Sequence, residues 1–442
     1  MGTREHEIYD IVGIGFGPSN LSLAIAIEEH QANAGDKPVT AAFFERQAAF
    51  GWHRNMLLPQ ATMQISFLKD LATFRNPLSR YSFVSYLHAS NRLVQFVNNQ
   101  DFFPTRQEFH QYLEWAEAGF RDRVTYNTEV TEIRLSQDAG TGAEQHLDIV
   151  VRDTTSGATR VVKARNVAVS TGLVPRMPEG MSSDERVWHS SEFLTKYGQM
   201  KPEELRNVAV VGAGQSAAEI TKYLHDMLPH AQVSAILPSY GYSVADDTPF
   251  ANQVFDPAAV DHYYFGTENT RDAFWRYHKN TNYSVVDTDV IRELFRRSYE
   301  EEVAGEKRLH FLNLTRVKEV KRSGSDTRVV LHSLLDGETE HEMDVDALVF
   351  ATGYSTMDAT GLLGDLDGFC RRDEQGQHSV ERDYRVVTGP ELTCGIYLQG
   401  GTEHTHGLTS SLLSNIAVRS GEIADSVVRR RAELGQVPAG TV

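Results

Sequence analysis

Two glycine turns, each set between an apolar run and a helix-like stretch, limit most strongly how this chain can fold. The first is IVGIGFGPSN, residues 11–20, and the second is VAVVGAGQSAAEI, residues 208–220. In a turn of this kind the first glycine permits the tight bend. The second lets the backbone approach a pyrophosphate seated on the helix N-terminus. Gly13 and Gly15 fit these roles in the first turn, and Gly212 and Gly214 in the second. Pro18 stands where the first turn would place its third glycine, with Gly17 just before it. A proline in the first helical turn lacks only an N–H that has no intrahelical partner anyway, so the phosphate site survives. One such turn is weak evidence. Two, each after a strand and before a helix, predict two dinucleotides: a resident flavin and a nicotinamide that delivers hydride.

The rest of the chain alternates in the same way. IYDIVGIG reads as a buried strand, PSNLSLAIAIEEH as a helix and TAAFFERQ as a strand ending at Glu45. Glu45 is placed to accept hydrogen bonds from a ribose diol. The pattern restarts at RNVAVVGAG, while residues 240–300 turn irregular and aromatic, as an insertion would. The predicted fold is α/β, with two Rossmann-like dinucleotide-binding domains and a small, mainly helical substrate-binding insertion. The expected boundaries are 1–170 and 346–442 for the FAD domain, 171–237 and 315–345 for the NADPH domain, and 238–314 for the insertion.

Composition narrows the function classes. The 442 residues carry a net charge of −17, which disfavours electrostatic capture of nucleic acid or an anionic membrane. Two cysteines, Cys370 and Cys394, fit a reducing compartment and lie too far apart for a CxxC redox pair. The polar N-terminus is no secretory signal, and no apolar run approaches a membrane span. A cytoplasmic protein is expected. His404 and His406 read as surface-loop residues without a third ligand, so no metal is expected. GQSAAE lacks the frame of a nucleophile elbow.

GIGFGPSNL, WHRNMLLPQATMQISFLKDLATFRNP, VVGAGQSAAEI, ADDTPFANQVFDP, NTNYSVVD, DALVFATGY and THGLTSSLLS together resemble the flavin-dependent N-hydroxylating monooxygenases. The resemblance is closest to bacterial L-ornithine N5-monooxygenases of siderophore and related pathways, and it runs over nearly the whole chain. Asp346 to Tyr354 resembles the family's D-x3-(L/F)-ATGY signature, although Ser355 and Thr356 replace the usual Asn/His-Pro. The resemblance implies that NADPH reduces FAD, that O2 forms a flavin hydroperoxide, and that this species hydroxylates the side-chain amine of ornithine. It also implies a homo-oligomer, a tetramer in many relatives. The amine must be neutral to react. With a free pKa near ~10.4, neutralising it at pH ~8 costs roughly 3 kcal/mol. The zwitterionic far end needs a cation and neutral hydrogen-bonding groups.

The same resemblance assigns residues. Lys69 matches the lysine that binds the substrate carboxylate. Asn252, Gln253, Val254 and Phe255 match the substrate loop, with Asn252 at the zwitterionic end. Asn282 matches an asparagine bridging substrate and nicotinamide ribose, and Ser411 a substrate-contacting serine. FAD contacts fall on Gly13, Gly15, Gly17, Pro18, Ser19, Asn20, Glu45, Arg46, Trp52, His53, Met63, Gln64, Val130, Thr352, Gly353 and Leu408. NADPH contacts fall on Arg106, Gly212, Gly214, Gln215, Ser216, Ser239, Asn282 and Ala351. No side chain is expected to act as acid or base, with Asn282 and Arg106 in supporting roles. The family often places an arginine after the second domain's second strand. Here that place reads Pro238-Ser239-Tyr240, which leaves the choice between NADPH and NADH open.

The nearest rival reading is an N6-hydroxylase of lysine. The extra methylene is worth only about 0.8 kcal/mol of burial, so discrimination must come from reach. A flavin NADPH oxidase or redox sensor on the same fold is the more distant rival.

Overall fold

The computed structural model describes residues 8–34, 38–138, 145–323 and 326–436. Two five-stranded parallel sheets organise it. The first runs in the order Gly395–Leu398, Asn166–Val169, Ile11–Ile14, Ala41–Phe44 and Val124–Thr125. The second runs Val187–His189, Ala347–Phe350, Asn207–Val211, Gln232–Ile236 and Leu309–Leu312. The central strands are buried along their length, as parallel strands covered on both faces must be. Fully burying a side chain such as Val12 or Ile11 stabilises the fold by about 1.5–3 kcal/mol.

The helix Pro18–Ala34 follows the first glycine turn and packs against the C-terminal helix Ile416–Gln436, through Leu23, Ile27, Ile423 and Val427. The helix Gln215–Met227 follows the second turn. Pro18 is the first residue of its helix, as expected of a proline there.

Strand pairing moves two expected boundaries. Ala347–Phe350 was expected in the FAD domain but lies in the second sheet, between Val187–His189 and Asn207–Val211. Leu309–Leu312 was expected in the insertion and forms the second sheet's edge. An apolar run identifies a buried strand but carries no information about its partner, which is set by contacts far away in sequence. Asp346 has a structural task here: its Oδ2 accepts the N–H groups of Arg206 at 2.7 Å and Asn207 at 2.8 Å. The chain crosses between the two units on a short antiparallel pair, Val174–Pro175 with Tyr354–Ser355.

The insertion contributes the helices Pro257–Tyr264, Glu268–His278 and Thr288–Ala304. It is fastened to the first unit by Arg382 Nε donating to Asp261 Oδ1 at 2.6 Å and by Tyr264 Oη donating to the Val380 carbonyl at 3.2 Å. No described helix is long and apolar enough to cross a membrane. Cys370 and Cys394 are free thiols, and burial pushes their pKa values up to about 11 and about 12.

Candidate active site

The first glycine turn is built for close approach. Gly15 adopts φ +77°, and a Cβ there would lie 2.5 Å from the Ser170 carbonyl oxygen. Gly17 faces open space, with nothing within 4 Å of where a Cβ would be. Asn20 braces the turn by donating to the Gly15 carbonyl at 2.7 Å, and its Oδ1 accepts from Gln399 Nε2 at 2.8 Å. The other amide atom of Gln399, Oε1, is buried without a partner among the described residues. Glu45 accepts the Phe16 N–H at 2.7 Å on Oε2 and the Gln47 N–H at 2.9 Å on Oε1. Its expected ribose contact therefore draws on the remaining lone pairs of a carboxylate already committed to the backbone. Ser19 accepts from the buried Arg419 at 3.3 Å. Open space at Gly17, a helix N-terminus and an unsatisfied buried acceptor nearby fit a dinucleotide such as FAD.

The second turn repeats the design. Gly212 has φ +141°, and a Cβ there would meet the Ala351 carbonyl oxygen at 2.4 Å. Gly214 caps the helix without a side-chain bond, so the first N–H groups at Gln215 and Ser216 remain for an anion. The Cα of Ser284, from the insertion, lies 3.9 Å from a Cβ built on Gly214, so the insertion flanks this turn. These features fit a nicotinamide dinucleotide. Ser239 donates within its own turn, to the Gly241 carbonyl at 2.7 Å.

Lys69 is presented by a well-anchored loop. Its neighbour Asp70 is buried and accepts the N–H groups of Ala72, Thr73 and Phe83 and the Thr73 hydroxyl, at 2.6–2.9 Å. Lys69 Nζ lies 5.3 Å from the centre of the Phe255 ring. Among the described residues Nζ makes no ion pair at all. Burial lowers its pKa, and the charge of Asp256 opposes that shift. Phe255 and Val254 pack with Leu408, and Tyr283, Trp275, Phe274 and Leu412 close the cluster. Lys69, the substrate loop, Leu408 and the segment around Asn282 thus converge.

The other expected residues have the following protein partners. Asn252 Nδ2 donates to the Asp247 carbonyl at 2.7 Å, completing a turn, and Gln253 is exposed. Asn282 bonds the Tyr283 hydroxyl, which in turn donates to Glu403 Oε1 at 2.9 Å. Met63 is buried in the first unit's aromatic cluster, with Trp52 packed against it. Val130 is core, packed with Phe44, and Arg46 is exposed. Thr352 and Gly353 lie at the crossover. Thr352 Oγ1 donates to the Arg176 carbonyl at 2.5 Å, and the Gly353 carbonyl contacts His189 Nε2 at 3.0 Å. Ser411 ends the turn Leu408–Ser411, but its side chain lies outside the described residues. His53 has φ +48° and packs edge-on to Trp52 and Tyr354. Desolvation and the charge of Arg106 lower its pKa.

Arg106 opens the helix Arg106–Glu117, and its guanidinium is taken up by protein. It donates to both oxygens of Glu219 at 2.8 and 2.9 Å and to the Met56 carbonyl at 2.8 Å. Through Glu219 it ties the first unit to the helix Gln215–Met227. His404 and His406 are not surface-loop residues. They lie in the short helix Glu403–His406, and His406 is fully buried, stacked 4.1 Å from Tyr384. The sequence reading also missed a cluster elsewhere: Asp367, Cys370 and His378 bring ligating atoms within 4.8 Å of one another. Arg372 donates to both Asp367 oxygens at 2.7 and 2.8 Å, which gives the group an ion-pairing role.

Sequence reasoning missed Glu219, Asp287, Tyr283 and Glu403. Glu219 did carry a signal: it is an acid among Ala217, Ala218 and Ile220, on the buried side of its helix.

The model of the L-lysine 6-monooxygenase/L-ornithine 5-monooxygenase family matches residues 7–356. The L-ornithine N(5)-monooxygenase of Pseudomonas aeruginosa is 37% identical over 97% of this chain and 95% of its own length. The solved ornithine N-hydroxylase of Kutzneria sp. 744, with reduced FAD, NADP+ and L-ornithine, is 58% identical. It covers 96% of this chain and all of its own, with a TM-score of 0.91. The L-lysine 6-monooxygenase of Pseudomonas syringae is 28% identical over 96% of this chain and 99% of its own, with a TM-score of 0.81.

Proposed function

The chain belongs to the family of L-lysine 6-monooxygenases and L-ornithine 5-monooxygenases, and from that premise we propose that it is an L-ornithine N5-monooxygenase using FAD, NADPH and O2. The observation that carries the choice of ornithine is the 58% identity to an ornithine N-hydroxylase, against 28% to a lysine monooxygenase.

When bound, FAD reduced by NADPH supplies the activated oxygen that a nucleophilic amine takes up. The protein's own residues do the rest. The turn at Gly13 and Gly15 holds the flavin's pyrophosphate, and that at Gly212 and Gly214 the nicotinamide's. Lys69 pairs with the substrate carboxylate, which supplies the anion its Nζ lacks among the described residues. Asn252 offers its side-chain oxygen to the substrate ammonium, its Nδ2 being used in the loop. Asn282 reaches the substrate and the nicotinamide ribose from the segment beside the second turn. The apolar side chains of Val254 and Leu408 offer a charged amine no counter-ion and so favour the neutral, reactive form.

A homo-oligomer, a tetramer by family resemblance, belongs to the same reading. The exposed row Phe295, Tyr299 and Val303 on one helix supports a face that another copy covers. The two free thiols support a cytoplasmic setting.

The test supplies the FAD-loaded protein with NADPH, isotopically labelled O2 and either L-ornithine or L-lysine, and follows the amino acid by mass spectrometry. Labelled oxygen on ornithine, with little on lysine, is expected. Equal labelling of both defeats the substrate assignment. NADPH oxidation without any labelled amino acid favours an oxidase.

A further inference from the structure

Five polar side chains from three parts of the fold form one continuous network. Arg106 and Gln64 come from the first unit. Glu219 and Gln215 lie one turn apart on the helix that follows the second glycine turn. Asp287 caps the helix Thr288–Ala304 of the insertion. The Arg106–Glu219 pair is bidentate, and its side chains are only 12% and 6% exposed. Glu219 Oε1 also accepts from Gln215 Nε2 at 2.9 Å. The same Nε2 donates to Asp287 Oδ2 at 2.8 Å, while Gln215 Oε1 accepts the Asp287 N–H at 2.8 Å. Asp287 Oδ1 accepts from Gln64 Nε2 at 3.1 Å.

Ionised carboxylates only accept hydrogen bonds, and this fixes both amides. A flipped Gln215 would set its oxygen against two carboxylate oxygens and its NH2 against a backbone N–H. Gln64 must likewise turn its NH2 to Asp287, which leaves its oxygen as the group presented elsewhere. Charge-assisted bonds are strong and directional at the largely buried Arg106–Glu219 pair, whereas the Gln64–Asp287 bond is exposed to solvent. The network therefore seats the second glycine helix against the first unit and gives the exposed Gln64 a preferred orientation.

We propose that Glu219 is a positioning residue for the hydroxylation, and that with Asp287 it forms an interdomain latch holding Arg106, Gln215 and Gln64 in one arrangement. The proposal rests on the monooxygenase reading above. Glu219 acts through its neighbours and needs no contact with the substrate.

The test compares Glu219→Gln, Glu219→Asp and Asp287→Asn with the parent as FAD-loaded proteins. Glu219→Gln keeps the shape but points an NH2 at donors. It is expected to keep its FAD content while raising the KM for NADPH at least about tenfold, since small misplacements of a reacting group are costly. The KM for ornithine should change less than about twofold, and Glu219→Asp should recover part of the loss because it restores the charge. Amide hydrogen exchange at residues 212–219, measured without nicotinamide, should quicken in Glu219→Gln. Wild-type KM for NADPH and wild-type exchange in that variant overturn the latch. If Glu219→Gln does not fold, Glu219→Asp and Asp287→Asn carry the same two readouts. If the parent is reduced by NADPH yet never hydroxylates ornithine, the substrate reading falls. The latch is then judged on flavin reduction and exchange alone.

Discussion

Lys69 holds its ammonium 5.3 Å from the centre of the Phe255 ring, and no carboxylate of the described residues pairs with it. The relationship joins a loop of the first unit to the start of the insertion. A cation on an aromatic face, with its pKa lowered by desolvation, is the arrangement that the proposed carboxylate contact requires.

Lys69→Ala removes that cation. The KM for ornithine should rise about 10- to 100-fold, the range for losing a hydrogen bond to a charged group. FAD content and NADPH oxidation without substrate should stay close to the parent. Steady-state kinetics at saturating NADPH and a flavin absorbance spectrum check both parts.

Gly15→Ala and Gly17→Ala should differ sharply. A Cβ at Gly15 meets the Ser170 carbonyl at 2.5 Å in a left-handed backbone, whereas Gly17 faces open space. Gly15→Ala is expected to lose FAD and about 1–3 kcal/mol of stability from backbone strain alone. Gly17→Ala should fold normally. Thermal melting of the flavin-free proteins and flavin content after reconstitution read out the contrast.

His406 predicts acid sensitivity. Burial and the nearby charges of Arg382, His404 and Arg419 lower its pKa from 6.5 to about 3, partly offset by its contact with the Arg382 carbonyl. Because the unfolded chain binds this proton first, the stabilisation is complete above pH 6.5 and is lost as pH falls toward 3. The shift corresponds to about 5 kcal/mol across that window. His406→Phe keeps an aromatic ring against Tyr384 but cannot titrate. It should be less stable at neutral pH and show a flatter acid limb in denaturant melts between pH 6.5 and 4.

The glycine turns were readable from sequence because their constraint is local. A tight strand-to-helix turn with a left-handed residue leaves few options besides glycine, and a Cβ at Gly15 or Gly212 would meet a carbonyl oxygen at 2.4–2.5 Å. The assignment of Ala347–Phe350 to a sheet was not readable, since an apolar run looks the same in either sheet. Arg106 was noticed, but its partner lies 113 residues away, and only the folded chain brings Glu219 to it. His406 was misread because TEHTHG is polar, and polarity alone does not reveal stacking on Tyr384. Lys69 was assigned from the block that contains it, and the four bonds to Asp70 that anchor its loop became visible only in the structure.

The most direct measurement is the ratio of N5-hydroxyornithine formed to NADPH consumed by the FAD-loaded protein in air, with L-ornithine saturating. A ratio close to one is predicted. NADPH consumption that yields hydrogen peroxide and no hydroxylated ornithine would contradict the account.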